Sequence, residues 1–230
     1  MRQIKTFSDS RLDNMCSYCG EHPDTRDHVP SKILLDEPFP ENLPVVPCCD
    51  KCNQSFSLDE EYIACLIECV LCGTTDIDQL KREKIKKILQ NKAPLREKIF
   101  QSMIETNGQT SFNVEVDRLK NVILKLAKGH AKYENSEPVF DAPTHFAFKP
   151  LPTMTQNEID IFLADSELTK SPEVGSRAMQ NFFIDTNNNV HSHWTVVQPD
   201  NYSYCVTMNP GRLSVKIIVW DYLAAEVIWQ

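Results

Sequence analysis

Residues 16–53 read CSYCGEHPDTRDHVPSKILLDEPFPENLPVVPCCDKCN, and the cysteine pairs at the two ends of this stretch decide how it folds. Cys16 and Cys19 form one CxxC pair, and Cys49 and Cys52 form the second. Together they offer four thiolates, the number that closes a tetrahedral zinc site. Cys48 adjoins the second pair, but only Cys49 keeps the two-residue spacing to Cys52. Four protein ligands leave no coordination position for a substrate, so the zinc predicted here is structural. A segment this short cannot build its own core and takes its stability from such an ion.

The rest of the chain supports a reducing setting for these thiols. No apolar run approaches the roughly 20 residues that span a bilayer. The opening MRQIKTFSDSRLDN lacks the apolar centre of a signal peptide, and the expected location is cytoplasmic. Disulfides rarely persist there, which leaves metal binding or burial to explain nine cysteines.

Net charge is −8, unfavourable for a partner rich in phosphate, yet the charge is unevenly spread. Residues 61–135 carry 13 Lys and Arg against 10 Asp and Glu, whereas both flanking segments are acidic. Within this middle third, KREKIKKILQNKAPLREK at 81–98 is the best candidate for a phosphate-facing surface, with Lys81, Arg82, Lys84, Lys86 and Lys87 at its start. Base rates for such a run favour a solvated helix face.

Periodicity divides the chain into three parts of an α+β protein. Residues 1–60 read as the zinc-stapled module, 61–135 as a helical segment, and 136–230 as an antiparallel β-rich domain with some helix. Ser57 and Glu60 read as a capping box that starts a helix over 58–72, and Gly73 as its stop. Two helices are expected over 76–104, broken at Pro94, and another from Val116 through Leu119, Ile123, Leu126 and Ala127, weakened or ended by Gly129. Residues 135–154 read as an irregular packed connector. Thr155 and Glu158 form a second capping box, and the segments QNFFID, NVHSHWTVVQ, NYSYCVTMN and RLSVKIIVW predict a β-meander.

Between the cysteine pairs, the CxxCG start, the DHVxP strand, the ENL loop and the CxxCN helix start resemble the HNH, or ββα-metal, endonucleases, in the subgroup with a four-cysteine zinc staple. The resemblance covers residues 16–60. It implies that His28 is a general base that takes a proton from water, that Asp27 and Asn53 ligate a catalytic magnesium or manganese ion, and that Asn42 steadies the loop that orients the histidine. Asn53 stands where many members have histidine, and Ser57 where some have a second one. Asp59 or Glu60 are further acids that could approach the ion.

The implied activity is phosphodiester hydrolysis of nucleic acid, DNA before RNA, and some similar stand-alone proteins, often bacterial, act in mobile-element or antiviral defence systems. Two alternatives stay open: a ribonuclease using the same residues, and a non-catalytic zinc-binding adaptor that recognises protein or nucleic acid. The C-terminal domain is left to bind substrate, a partner protein or a second copy of the chain. Cys65, Cys69 and Cys72 recur at helical spacing and read as a buried helix face, and His191 and His193 as ordinary polar residues of a strand.

Overall fold

The computed structural model describes residues 10–169 and 171–230. The beginning of the 1–60 segment, including most of the stretch read for a signal peptide, lies outside the described residues. The chain is α+β with antiparallel sheets, and it clusters into two compact units, one running up to Gln54 and resuming at Leu124–Gln230, the other Ser55–Ile123. No described helix is long and apolar enough to cross a membrane.

In the first unit, β1 (Thr25–His28) pairs antiparallel with β2 (Val45–Cys48), placing Asp27 opposite Val46 and His28 opposite Val45. The strand ends at a cis Val29-Pro30 bond. Helix α1 (Asp50–Cys72) begins at the second CxxC pair, eight residues before the expected start at Leu58. Its N-cap is a cysteine: Cys49 Sγ accepts the Cys52 N–H at 3.4 Å, and the Cys49 carbonyl accepts from Asn53. A sulfur thus serves an orphan amide of the first turn, as an oxygen does in the usual cap. Ser57 and Glu60 lie inside the helix, where an S-x-x-E pattern is merely an i,i+3 pair, and Gly73 ends it at φ 65°.

The second unit contains α2 (Glu83–Asn91), α3 (Ala93–Gln101) with Pro94 in its first turn, and a hairpin of β3 (Met103–Thr106) and β4 (Gln109–Phe112). The hairpin turns on Asn107-Gly108, both at positive φ, in the Asn-Gly signature of a two-residue turn. It replaces the end of the helix expected to reach residue 104. Helix α4 (Val116–Asn135) then returns the chain to the first unit and buries Leu126, Ala127 and Ala131 there.

Gly129 does not end α4. A Cβ at this position would lie 2.6 Å from Val29 Cγ2 and 3.2 Å from the Tyr18 hydroxyl. Glycine is what lets the helix approach the end of β1 this closely.

Next come β5 (His145–Pro150), α5 (Gln156–Leu163), β6 (Ser166–Leu168), α6 (Ala178–Asn181), β7 (Phe183–Ile184), β8 (Val190–Ser192), β9 (Thr195–Gln198), β10 (Tyr202–Asn209), β11 (Arg212–Val219) and β12 (Leu223–Trp229). They build a five-stranded sheet in the order β5-β12-β11-β10-β9 and a small sheet β6-β8-β7. The expected capping box at Thr155 and Glu158 is present on α5. The expected connector is in part a strand: β5 pairs with the C-terminal strand β12 and puts Phe146 opposite Val227.

One face of the large sheet is apolar, with Val215, Ile217, Val219, Ala225 and Val227 buried. Helix α4 covers it: the His130 ring stacks on Tyr204 at 3.7 Å and shares a 2.8 Å hydrogen bond with Tyr202, and Tyr204 donates to Glu134. Residues 34–38 also reach the sheet's end. Asp36 N–H donates to Gln198 Oε1, Gln198 Nε2 donates back to Asp36 O, and Trp220 Nε1 donates to Leu34 O. These bonds fix the β1–β2 module against a sheet more than a hundred residues distant in sequence.

Candidate metal centre

The four cysteine sulfurs are brought together. Cys16, Cys19, Cys49 and Cys52 place their Sγ atoms within 4.8 Å of one another, and none is in a disulfide. Cys19 and Cys49 Sγ are 3.7 Å apart. With Zn–S bonds near 2.3 Å, the edge of a regular tetrahedron is about 3.8 Å, which the Cys19–Cys49 separation matches. A clustered set of four thiols fits zinc, and these four residues would hold it.

Local backbone bonding prepares the site. The Cys16 N–H donates to Glu21 O, Gly20 N–H to Cys16 O, and Tyr18 N–H to Cys16 Sγ. Gly20 makes this turn at φ 80°. Burial pushes the Cys16 thiol up, but amides of Cys49, Tyr18 and Cys19 outweigh it and bring its pKa down to about 7, favouring the thiolate a metal needs. Ser17 ties the turn to β2 through N–H and hydroxyl donation to Pro47 O. Cys48 is buried, donates its thiol to Cys49 O and is pushed up by burial, so it stays a thiol outside the cluster.

Asp27 and His28 occupy opposite faces of β1, as strand geometry requires. His28 is half-buried at the strand end, and its Nδ1 is shielded from solvent with no hydrogen-bond partner among the described residues, which leaves Nε2 as the nitrogen that could meet water. Burial, then the Lys32 charge, lowers its pKa against the weaker opposing pull of Asp27, and the imidazole is neutral at pH 7.

Asp27 is 6% exposed. Its Oδ2 accepts from the Tyr18 hydroxyl at 2.6 Å and from Lys125 Nζ at 2.7 Å, and Lys125 also donates to Ser31 Oγ at 2.7 Å. Oδ1 accepts no hydrogen bond among the described residues. Tyr18 thereby links the cysteine turn to the carboxylate, since its N–H serves Cys16 and its hydroxyl serves Asp27.

The remaining candidates lie on other elements. Asn53 is half-buried in the first turn of α1, next to Cys52, and Asn42 is exposed in the turn before β2 with no side-chain hydrogen bond among the described residues. In the second unit, Asp59 accepts from Arg118 Nε and Asn121 Nδ2. Arg82 is held by buried Glu68 at 2.7 Å and Lys86 by Glu83, while Lys81 and Lys87 are exposed and Lys84 is half-buried. Cys65 and Cys69 are buried in α1, and His191 hydrogen-bonds Asp185.

The sequence reading missed Lys125, Tyr18 and Ser31. One signal was available: Lys125 stands amid Val122, Ile123, Leu126 and Ala127, a charge set in an apolar helix stripe that a buried acid has to answer.

These elements define an α+β protein with a four-cysteine cluster that could bind zinc. Compared with known families, curated proteins and solved structures, the chain shows no match to a family model, a curated sequence or a solved fold.

Proposed function

We propose that this chain is a zinc-stapled HNH-type endonuclease that hydrolyses phosphodiester bonds of nucleic acid, DNA before RNA. The observation that carries this reading is the neutral, half-buried His28 with an unpartnered Nδ1, at the end of the first of two strands that lead into a helix and are joined by the cysteine cluster. A neutral imidazole can accept a proton near pH 7, and its low pKa keeps it available. In the proposed step a His28 ring nitrogen takes a proton from water, the hydroxide oxygen bonds to phosphorus, and the bond from phosphorus to the 3′ oxygen breaks. The leaving oxygen is reprotonated by solvent.

Asp27 Oδ1 and the Asn53 amide oxygen are hard donors suited to magnesium or manganese, which supplies charge for the leaving oxygen when bound. The Lys125 ammonium on Asp27 Oδ2 would compete with a divalent ion for this carboxylate. Of the five cations at the start of the basic run, Lys81 and Lys87 are the exposed ones, open to backbone contacts. A role in bacterial antiviral or mobile-element defence accords with this activity.

One observation favours a second reading, a non-catalytic zinc-binding adaptor: Asp27 is buried and charge-paired, as in a structural network. Plasmid nicking in magnesium or manganese separates the two. The endonuclease reading expects wild type to cut and His28→Ala to lose at least a hundredfold in rate, the usual scale of a general base. Absence of cutting by wild type in either metal favours the adaptor, and equal cutting by both proteins removes His28 as the base. Offering RNA in parallel distinguishes the ribonuclease.

A further inference from the structure

The face of the five-stranded sheet opposite α4 has an unusual composition for a largely buried surface. Register places Thr207, Ser214, Lys216, Glu226, Ala224 and Ala147 on it. Thr207 and Ser214 are each 7% exposed and Ala224 is 2% exposed, although these side chains are too small to fill the layer. The space they leave is a cleft of about 590 Å3 between the sheet, α5 and β6, walled by Met154, Ile161 and Phe162. Its size falls within the range of small-molecule sites, which are concave, part apolar, and fitted with a few polar groups.

The polar groups are unevenly satisfied. Glu226 lies directly opposite Lys216 across β11 and β12, the natural position for an ion pair. Lys216 instead turns its ammonium to the Phe162 and Ala164 carbonyls at the end of α5, at 3.0 and 3.5 Å. Glu226 is left with the Ser214 hydroxyl on Oε1 at 3.0 Å and no cation among the described residues. Arg212, four residues from Lys216 along β11 and therefore about 13 Å away, lines the same cleft. It is exposed, and its guanidinium has no hydrogen bond or ion pair among the described residues.

A half-buried carboxylate without a cation, an aromatic ring at Phe162 with the Lys216 ammonium 5.7 Å from its centre, and an uncommitted guanidinium at the far end are complementary to one ligand class. We infer that the cleft binds a mononucleotide, with the base edge donating to Glu226, the base against Phe162, and the phosphate on Arg212. Arginine matches phosphate geometrically through its planar fork, and aromatic rings accept bases by their faces. The inference stands apart from the nuclease reading, because the cleft is formed wholly from residues after position 146.

Isothermal titration of the full chain with AMP, CMP, GMP and UMP, and with the matching nucleosides, tests this. At least one mononucleotide should bind. Glu226→Gln should weaken that nucleotide and its nucleoside alike, by about tenfold, the scale of a charged hydrogen bond. Arg212→Ala should weaken the nucleotide by about tenfold and leave nucleoside affinity unchanged; being an exposed substitution, it should not alter the thermal melt. No binding of any of the four by wild type at millimolar concentration, or unchanged nucleotide affinity in both variants, would overturn the assignment.

Discussion

Lys125 Nζ lies 2.7 Å from Asp27 Oδ2, with side chains only 1% and 8% exposed, so an ion pair between α4 and β1 sits in the interior of the first unit. Two charges removed from water stabilise a fold only while each has the other and their remaining hydrogen bonds are made. Here Ser31 and Tyr18 supply those bonds.

Removing one partner should therefore cost more than removing both. Lys125→Met should lower unfolding free energy by about 3–5 kcal/mol by leaving Asp27 buried and unpaired. The double variant Asp27→Asn with Lys125→Met should recover much of that loss. Urea denaturation of the two single variants and the double variant, treated as a mutant cycle, measures the coupling.

Elemental analysis should find one zinc per chain. Serine at Cys16, Cys19, Cys49 or Cys52 should abolish it, because a hydroxyl does not replace a thiolate ligand, while Cys48→Ala and Cys65→Ala should retain it. Chelation should also loosen the Tyr18 hydroxyl from Asp27, since the Tyr18 backbone is held by the cysteine turn through its N–H bond to Cys16 Sγ. Hydrogen exchange at residues 16–28 reads this directly.

His130 is wholly buried against Tyr202 and Tyr204, and burial, followed by the Lys125 charge, holds its pKa well below the usual value. The folded chain thus keeps this ring neutral while the unfolded chain protonates it below about pH 6.5. More protons bind to the unfolded state there, so stability should fall as pH drops, approaching about 1.4 kcal/mol per pH unit from this group alone. His130→Gln should be less stable at pH 7 and show a flatter decline from pH 6.5 to pH 5 in denaturant titrations.

Gly129→Ala sets two effects against each other. Helix propensity favours alanine by about 1 kcal/mol. Contact at 2.6 Å with Val29 and 3.2 Å with Tyr18 opposes it, and overpacking of this type costs about 1–3 kcal/mol. Because Val29, just after β1, is fully buried and tied by its N–H to Pro44 O, the steric cost should win, and thermal melts should show a lower midpoint.

Local chemistry carries much of the fold in its own letters. The paired CxxC spacing foretells the thiol cluster, Gly73 the end of α1, Pro94 the break before α3, and Thr155 with Glu158 the start of α5. Each depends on neighbours a few residues apart, or on a repeated motif whose only economical use is one ion. The Asn107-Gly108 turn carries an equally local signal, since Asn-Gly favours the positive φ that both residues adopt. The start of α1 was misplaced because a cysteine is not an expected cap, and its sulfur becomes one only when the metal turn holds it.

What the sequence determined by itself is thus the α+β class, the cysteine cluster and the position of Asp27 and His28 on one short strand. Tertiary structure alone decided their surroundings. Asp27 acquires Lys125 from 98 residues away because Gly129 admits α4 against β1, and Glu226 lacks Lys216 because the end of α5 draws that ammonium off. Neither outcome is encoded in spacing along the chain. Each follows from which groups are forced together when apolar faces close, and from the rule that a charge taken out of water must find a partner.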